Sequence, residues 1–187
     1  MSSSVDLYWL PLGAGGHSVR LNGKLYEAVA ALHGRRDRCD LYHAALEVSA
    51  PGGRYVVEQA PAGRDGAERG VVRVGPVGAR AAGRLPLFRY EVRRWRDGVL
   101  PDREEAVDSP IRLSADAAGA ERLLELVPEV PAFVWGRDEL GAGEMWNSNS
   151  VVSWLLARSG IDLETVSLPR HGRAPGWQAG IVAARRP

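Results

Sequence analysis

The chain predicts an α+β fold, a largely antiparallel sheet packed against helices, on three observations. Runs of alternating apolar residues dominate the first hundred positions, and a strong turn signal joins two of them. Two amphipathic helical segments follow late in the chain, and no βαβ rhythm appears anywhere. At 187 residues, 45% apolar and 25% charged, the length and composition fit one soluble globular domain spanning 1–187.

The elements follow in order. Leu7-Tyr8-Trp9-Leu10 reads as a short strand, ended by Pro11 and the glycine cluster at 13–16. Asn22 is placed to cap a helix over 23–32, where Leu25, Val29 and Leu32 share a face. Gly34 with Arg35, Arg36 and Arg38 marks its end. Residues 41–48 and 54–59 form a hairpin around Ala50-Pro51-Gly52-Gly53. Residues 71–74 and 87–95 read as two more strands, with a polar loop over 63–70 between the hairpin and the first of them. A Pro- and Asp-rich connection leads from Asp97-Gly98 to Pro110. Ser114 or Asp116 caps a helix over 117–127, which Pro128 and Pro131 stop. Asn147-Ser148-Asn149-Ser150 opens a second helix carrying Val151, Val152, Leu155 and Leu156, ending near Gly160. Residues 177–183 read as a last strand.

Composition narrows the function. Twenty-four basic residues, of which Lys24 is the only lysine, oppose 23 acidic ones, for a net charge of +1. Nucleic-acid binding usually needs a larger basic excess. The arginines at 89, 93, 94 and 96 read as a solvated strand face. One cysteine, Cys39, excludes an internal disulfide framework and a Cys-only zinc site. Histidines 17, 33, 43 and 171 lack ligand spacing, so no metal or other cofactor is expected. No apolar run approaches the ~18 residues of a membrane span. The N-terminal residues lack the pattern of a signal peptide, so a cytoplasmic protein is expected.

Two constellations could carry chemistry. His43 shares a strand face with Ala45 and Glu47. An even hairpin loop places Glu58 opposite Ala45 and diagonal to His43, within reach to fix the imidazole tautomer. An odd loop brings Gln59 round instead. The second constellation is Trp146-Asn147-Ser148-Asn149-Ser150. It is first of all an N-cap, but a helix N-terminus also favours an activated nucleophile and an oxyanion.

A histidine opening a strand, a carboxylate on the partner strand and a late Asn-x-x-x-apolar-Val helix start resemble the circularly permuted papain-like superfamily. This is the NlpC-type branch that includes lecithin retinol acyltransferase relatives, and an uncharacterised bacterial group of it is the expected home. The likeness covers roughly residues 40–158 and rests on two short motifs. It implies a hydrolase or acyl transferase acting on an amide, ester or thioester of a small molecule or peptide. Ser148 would be the nucleophile, His43 the base and Glu58 or Gln59 the orienting group. Trp146, Asn147, Asn149 and His17 would touch substrate.

The family nucleophile is cysteine, and this chain has Ser148 there. A thiol ionises readily at such a position, whereas a hydroxyl needs a base in the transition state itself. Three readings fit: a working serine, a relative that keeps binding a peptide, acyl ligand or protein partner without catalysis, or a deliberate Cys-to-Ser replacement. Cys39 cannot stand in, because four extended residues separate it from His43 by about 13 Å.

Overall fold

The structure, a computed structural model, describes residues 2–12, 39–63, 68–100, 102–114 and 116–186. The glycine cluster at 13–16, His17 and the helix expected over 23–32 lie outside the described residues. Strands β1 (Ser4–Pro11), β2 (Asp40–Ala50), β3 (Gly53–Pro61), β4 (Val71–Pro76), β5 (Arg89–Arg96) and β6 (Val107–Ser114) form one sheet. Its order is β4-β5-β3-β2-β1-β6, with every neighbouring pair antiparallel. A two-residue strand, β7 (Gly172–Arg173), pairs in parallel with the start of β2. The helices α1 (Ala117–Leu126), α2 (Ser148–Ser159) and α3 (Trp177–Ala184) complete the mixed α+β architecture.

Alternation along β1 and β2 divides the core. Val5, Leu7 and Trp9 join Tyr42, Ala44, Leu46 and Val48 on one face, packed with Leu123 of α1 and Val151, Val152 and Leu155 of α2. Burying each of these aliphatic side chains contributes about 1.5–3 kcal/mol. Tyr8, Leu10, Ala45 and Val56 form a smaller cluster on the other face, closed by Leu100. A sheet apolar on both faces explains why β2 reads as a near-continuous apolar run.

Three elements differ from the sequence reading. Residues Trp177–Ala184 are helical, and Ala179, Gly180 and Ala183 form the buried side at helical spacing. A short apolar run carries no period strong enough to separate strand from helix. Gly180 is required there: a Cβ on it would lie 2.1 Å from the Ser150 carbonyl oxygen and from Ser153 Oγ. Strand β6 falls in what reads as an irregular connection, because Pro110 interrupts its pattern. Proline is tolerated since β6 has no neighbour on its outer side among the described residues. The hairpin turn is also tighter than the expected 50–53 loop, since Ala50 pairs with Gly53 and only Pro51-Gly52 are left to turn. Both versions are even, so the side-chain faces are unchanged.

Candidate functional site

The polar quartet before α2 divides its labour. Asn147 is the N-cap: its Oδ1 accepts from Asn149 N at 2.9 Å and Ser150 N at 3.4 Å. Ser150 Oγ returns the favour, accepting from Asn147 N at 3.0 Å and donating to the Gly176 carbonyl at 2.7 Å. These bonds satisfy amides that a helix start leaves open. Asn149 looks outward from the helix. Its Oδ1 accepts from Ala44 N at 2.7 Å, and its Nδ2 donates to the Tyr42 carbonyl at 3.0 Å and the Pro175 carbonyl at 2.8 Å.

That contact explains how the sheet is built around it. Pairing of β2 with β3 ends at Leu46↔Val57, while β1 follows β2 on its other side as far as Tyr42. Beyond Leu46 the β3-side edge of β2 would be left unpaired. The carboxamide of Asn149 occupies that edge at residues 42 and 44, and β7 takes it over at Asp40 and Leu41. A side chain thus continues the ladder where a strand leaves it, and buried backbone groups stay paired.

Asn149 therefore anchors the first turn of α2 to both residues that flank His43. Ser148, 7% exposed, is the one member of the quartet whose hydroxyl makes no hydrogen bond among the described residues. His43 is half-buried and stands opposite Leu10, on the face of Ala45 and Glu47 and away from the apolar face on which α2 packs. No hydrogen bond joins its ring to Ser148 or to another described side chain. Burial holds its pKa down at about 4, with the Asp102 carboxylate pulling the other way. The ring is neutral at pH 7.

Neither expected orienting group is hydrogen-bonded to His43. Glu58 does lie on the His43 side of the sheet, but it pairs with Arg93 across β5 at 3.0 Å, and Arg93 also binds Glu91 at 3.0 Å. An arginine directly opposite captures the carboxylate more closely than a diagonal imidazole could. Gln59 points to the opposite face, where both of its amide atoms are buried without a partner. Asp102 is the acid whose field reaches His43, and the spacing of motifs gives no hint of it. The segment around it is fastened over the His43 face. Leu100 is buried there, and Arg103 meets Tyr8 Oη at 2.8 Å and Glu47 at 3.3 Å.

Of the residues expected to touch substrate, Trp146, Asn147 and Asn149 have other duties, and His17 lies outside the described residues. Asn147 and Asn149 are spent on cap and clamp. Trp146 is 1% exposed, packs edge-on against Phe133 at 5.1 Å between ring centroids, and its Nε1 has no acceptor at hydrogen-bond geometry among the described residues. A cleft of about 340 Å³ opens beside this helix start, lined by Trp9, Trp177, Glu144, Arg173, Leu168 and Pro175 among others. It touches the site through Pro175, whose carbonyl accepts from both Asn147 and Asn149. Glu144 is occupied there with the Gly176 and Gln178 amides at the start of α3. Among the described residues no cluster of His, Cys, Asp or Glu could hold a metal ion. No helix among them is long and apolar enough to cross a membrane.

No protein-family model, curated protein or solved structure matches the chain.

Proposed function

We propose that the protein is a hydrolase or acyl transferase acting on an amide, ester or thioester, with Ser148 as nucleophile and His43 as base. The observation that supports it most is the Asn149 clamp. It ties the residue beside Ser148 to both neighbours of His43 across more than a hundred positions of sequence. Ser148 is also the only side chain of its quartet without a structural duty, at the positive end of a twelve-residue helix.

In this reading Ser148 Oγ attacks the acyl carbon as the His43 ring takes its proton. The ring stands on the sheet face opposite the one α2 packs on and must come round the vacated β3-side edge of β2 to do so. The same ring then protonates the departing amine, alcohol or thiol, and water or an acceptor releases the acyl group. The Ser148 N–H, which Asn147 does not cap, faces the developing oxyanion. Asp102 offsets part of the cost of forming a buried imidazolium. Against free imidazole at 6.5, a pKa of about 4 makes that cost about 3 kcal/mol. A slow enzyme follows, and substrate must draw ring and hydroxyl into hydrogen-bond contact.

The second reading, binding without catalysis, draws on the missing Ser148–His43 hydrogen bond. A fluorophosphonate probe with intact-mass readout separates the two. Catalysis predicts one adduct, absent in Ser148→Ala and strongly reduced in His43→Gln. Unlabelled wild-type protein, together with a Ser148→Cys thiol that alkylates with an ordinary pKa near 8.5, would refute the catalytic reading.

A further inference from the structure

The connection from β4 to β5 lies away from the Ser148 site and has a chemistry of its own. Between Gly70 and Tyr90 the chain carries four arginines (73, 80, 84 and 89) and no carboxylate. Arg80, Arg84 and Arg89 line a cleft of about 320 Å³ with Val74, Gly75, Pro76 and Gly83. Beside it, two short 3-10 turns, Ala81–Arg84 and Pro86–Phe88, lift apolar side chains into solvent. Leu87 is 85% exposed, Leu85 58%, Val74 45% and Phe88 43%, four of the six large exposed apolar residues among those described. Arg89 is braced by the Gly83 and Arg84 carbonyls, and Arg80 by Glu139. Arg84 has no such partner among the described residues.

Solvent does not favour this combination. Apolar side chains gathered at a loop tip gain by leaving water, and arginines beside them gain from negative charge. A flat acidic protein surface would satisfy the arginines and leave the projecting leucines wet. A nucleic-acid backbone would do the same. The headgroup region of an anionic bilayer satisfies both, because tip residues enter the acyl boundary while arginines meet phosphates and carboxylates.

We infer that the β4–β5 connection docks the protein on an anionic membrane surface, with Leu85, Leu87 and Phe88 inserted and Arg84 and Arg89 on lipid headgroups. The docking is peripheral and adds no spanning segment.

Co-sedimentation of the full chain with phosphatidylcholine vesicles, with and without phosphatidylserine, tests this. Binding is expected to the mixed vesicles and to weaken as salt rises. Arg84→Gln should bind about fivefold more weakly, and Leu87→Asp at least about tenfold more weakly. Both positions are exposed, so unchanged thermal unfolding should accompany the losses. Equal binding to both vesicle types, full binding by Leu87→Asp, or no binding to either vesicle would overturn the inference. So would an oligonucleotide complex or a dimer through the free edge of β4 that depends on the arginines while vesicles are ignored.

Discussion

Replacing Asn149 should cost more stability than any other change at the start of α2. Its carboxamide is 2% exposed and serves three backbone groups. In Asn149→Leu the Pro175 carbonyl keeps a donor, because Asn147 Nδ2 also reaches it at 2.8 Å. The Ala44 amide and the Tyr42 carbonyl are left buried and unpaired, at about 1–3 kcal/mol each. A central value near 4 kcal/mol follows, less about 1 kcal/mol regained by burying an apolar side chain. Urea unfolding at neutral pH should therefore show a loss of about 3 kcal/mol with an unchanged slope. Hydrogen exchange should accelerate at the Ala44 amide before the rest of β2.

Asn149→Asp sharpens the test. The introduced carboxylate still accepts from Ala44 but faces the Tyr42 and Pro175 carbonyls, and its pKa must rise. The unfolded state then releases its proton first, so the penalty grows with pH and is relieved in acid. A loss below about 1 kcal/mol for Asn149→Leu, or a pH-independent loss for Asn149→Asp, would mean that the clamp does not hold the sheet edge.

Two other outcomes bear on the same region. His43 has a folded pKa near 4 against 6.5 unfolded, so the unfolded chain binds more protons between those values. The stability contributed by the neutral ring is therefore intact above pH 6.5 and lost by about 3 kcal/mol as pH falls to 4. His43→Gln should flatten that slope in urea titrations at several pH values, and an unaltered slope would show that the ring is not held neutral by burial. Gly180→Ala should destabilise by about 3 kcal/mol, since its new methyl group meets the Ser150 carbonyl of the α2 backbone as well as Ser153 Oγ. A melting temperature within a degree or two of wild type would show that α2 and α3 can part at little cost.

Much of the frame was legible because its signals are local. Pro51-Gly52 between alternating strands announced the hairpin, and its even length put Glu58 on the His43 side. Asn147, with Ser150 three residues on, announced the start of α2. Residues 177–184 were not legible as a helix, because Ala-Gly-Ile-Val-Ala-Ala suits either backbone until α2 demands a glycine at 180. The partner of Glu58 was hidden for a similar reason. Arg93 becomes its neighbour only when β5 pairs beside β3, and a diagonal histidine cannot compete with a guanidinium directly across the ladder. Asp102 sits in a connection with no periodicity, so nothing local ties it to residue 43.

By itself the sequence determined the α+β class, the place of the hairpin turn and the start of α2, since turn chemistry, alternation and capping act over a few residues. Only tertiary structure decided which of the two asparagines flanking Ser148 caps and which clamps. A carboxamide serves both purposes equally well, and the choice depends on where β3 leaves β2 and exposes a buried amide and carbonyl. That vacated edge joins Ser148 to the strand of His43, and its cause is the spatial course of two strands rather than any residue near 148.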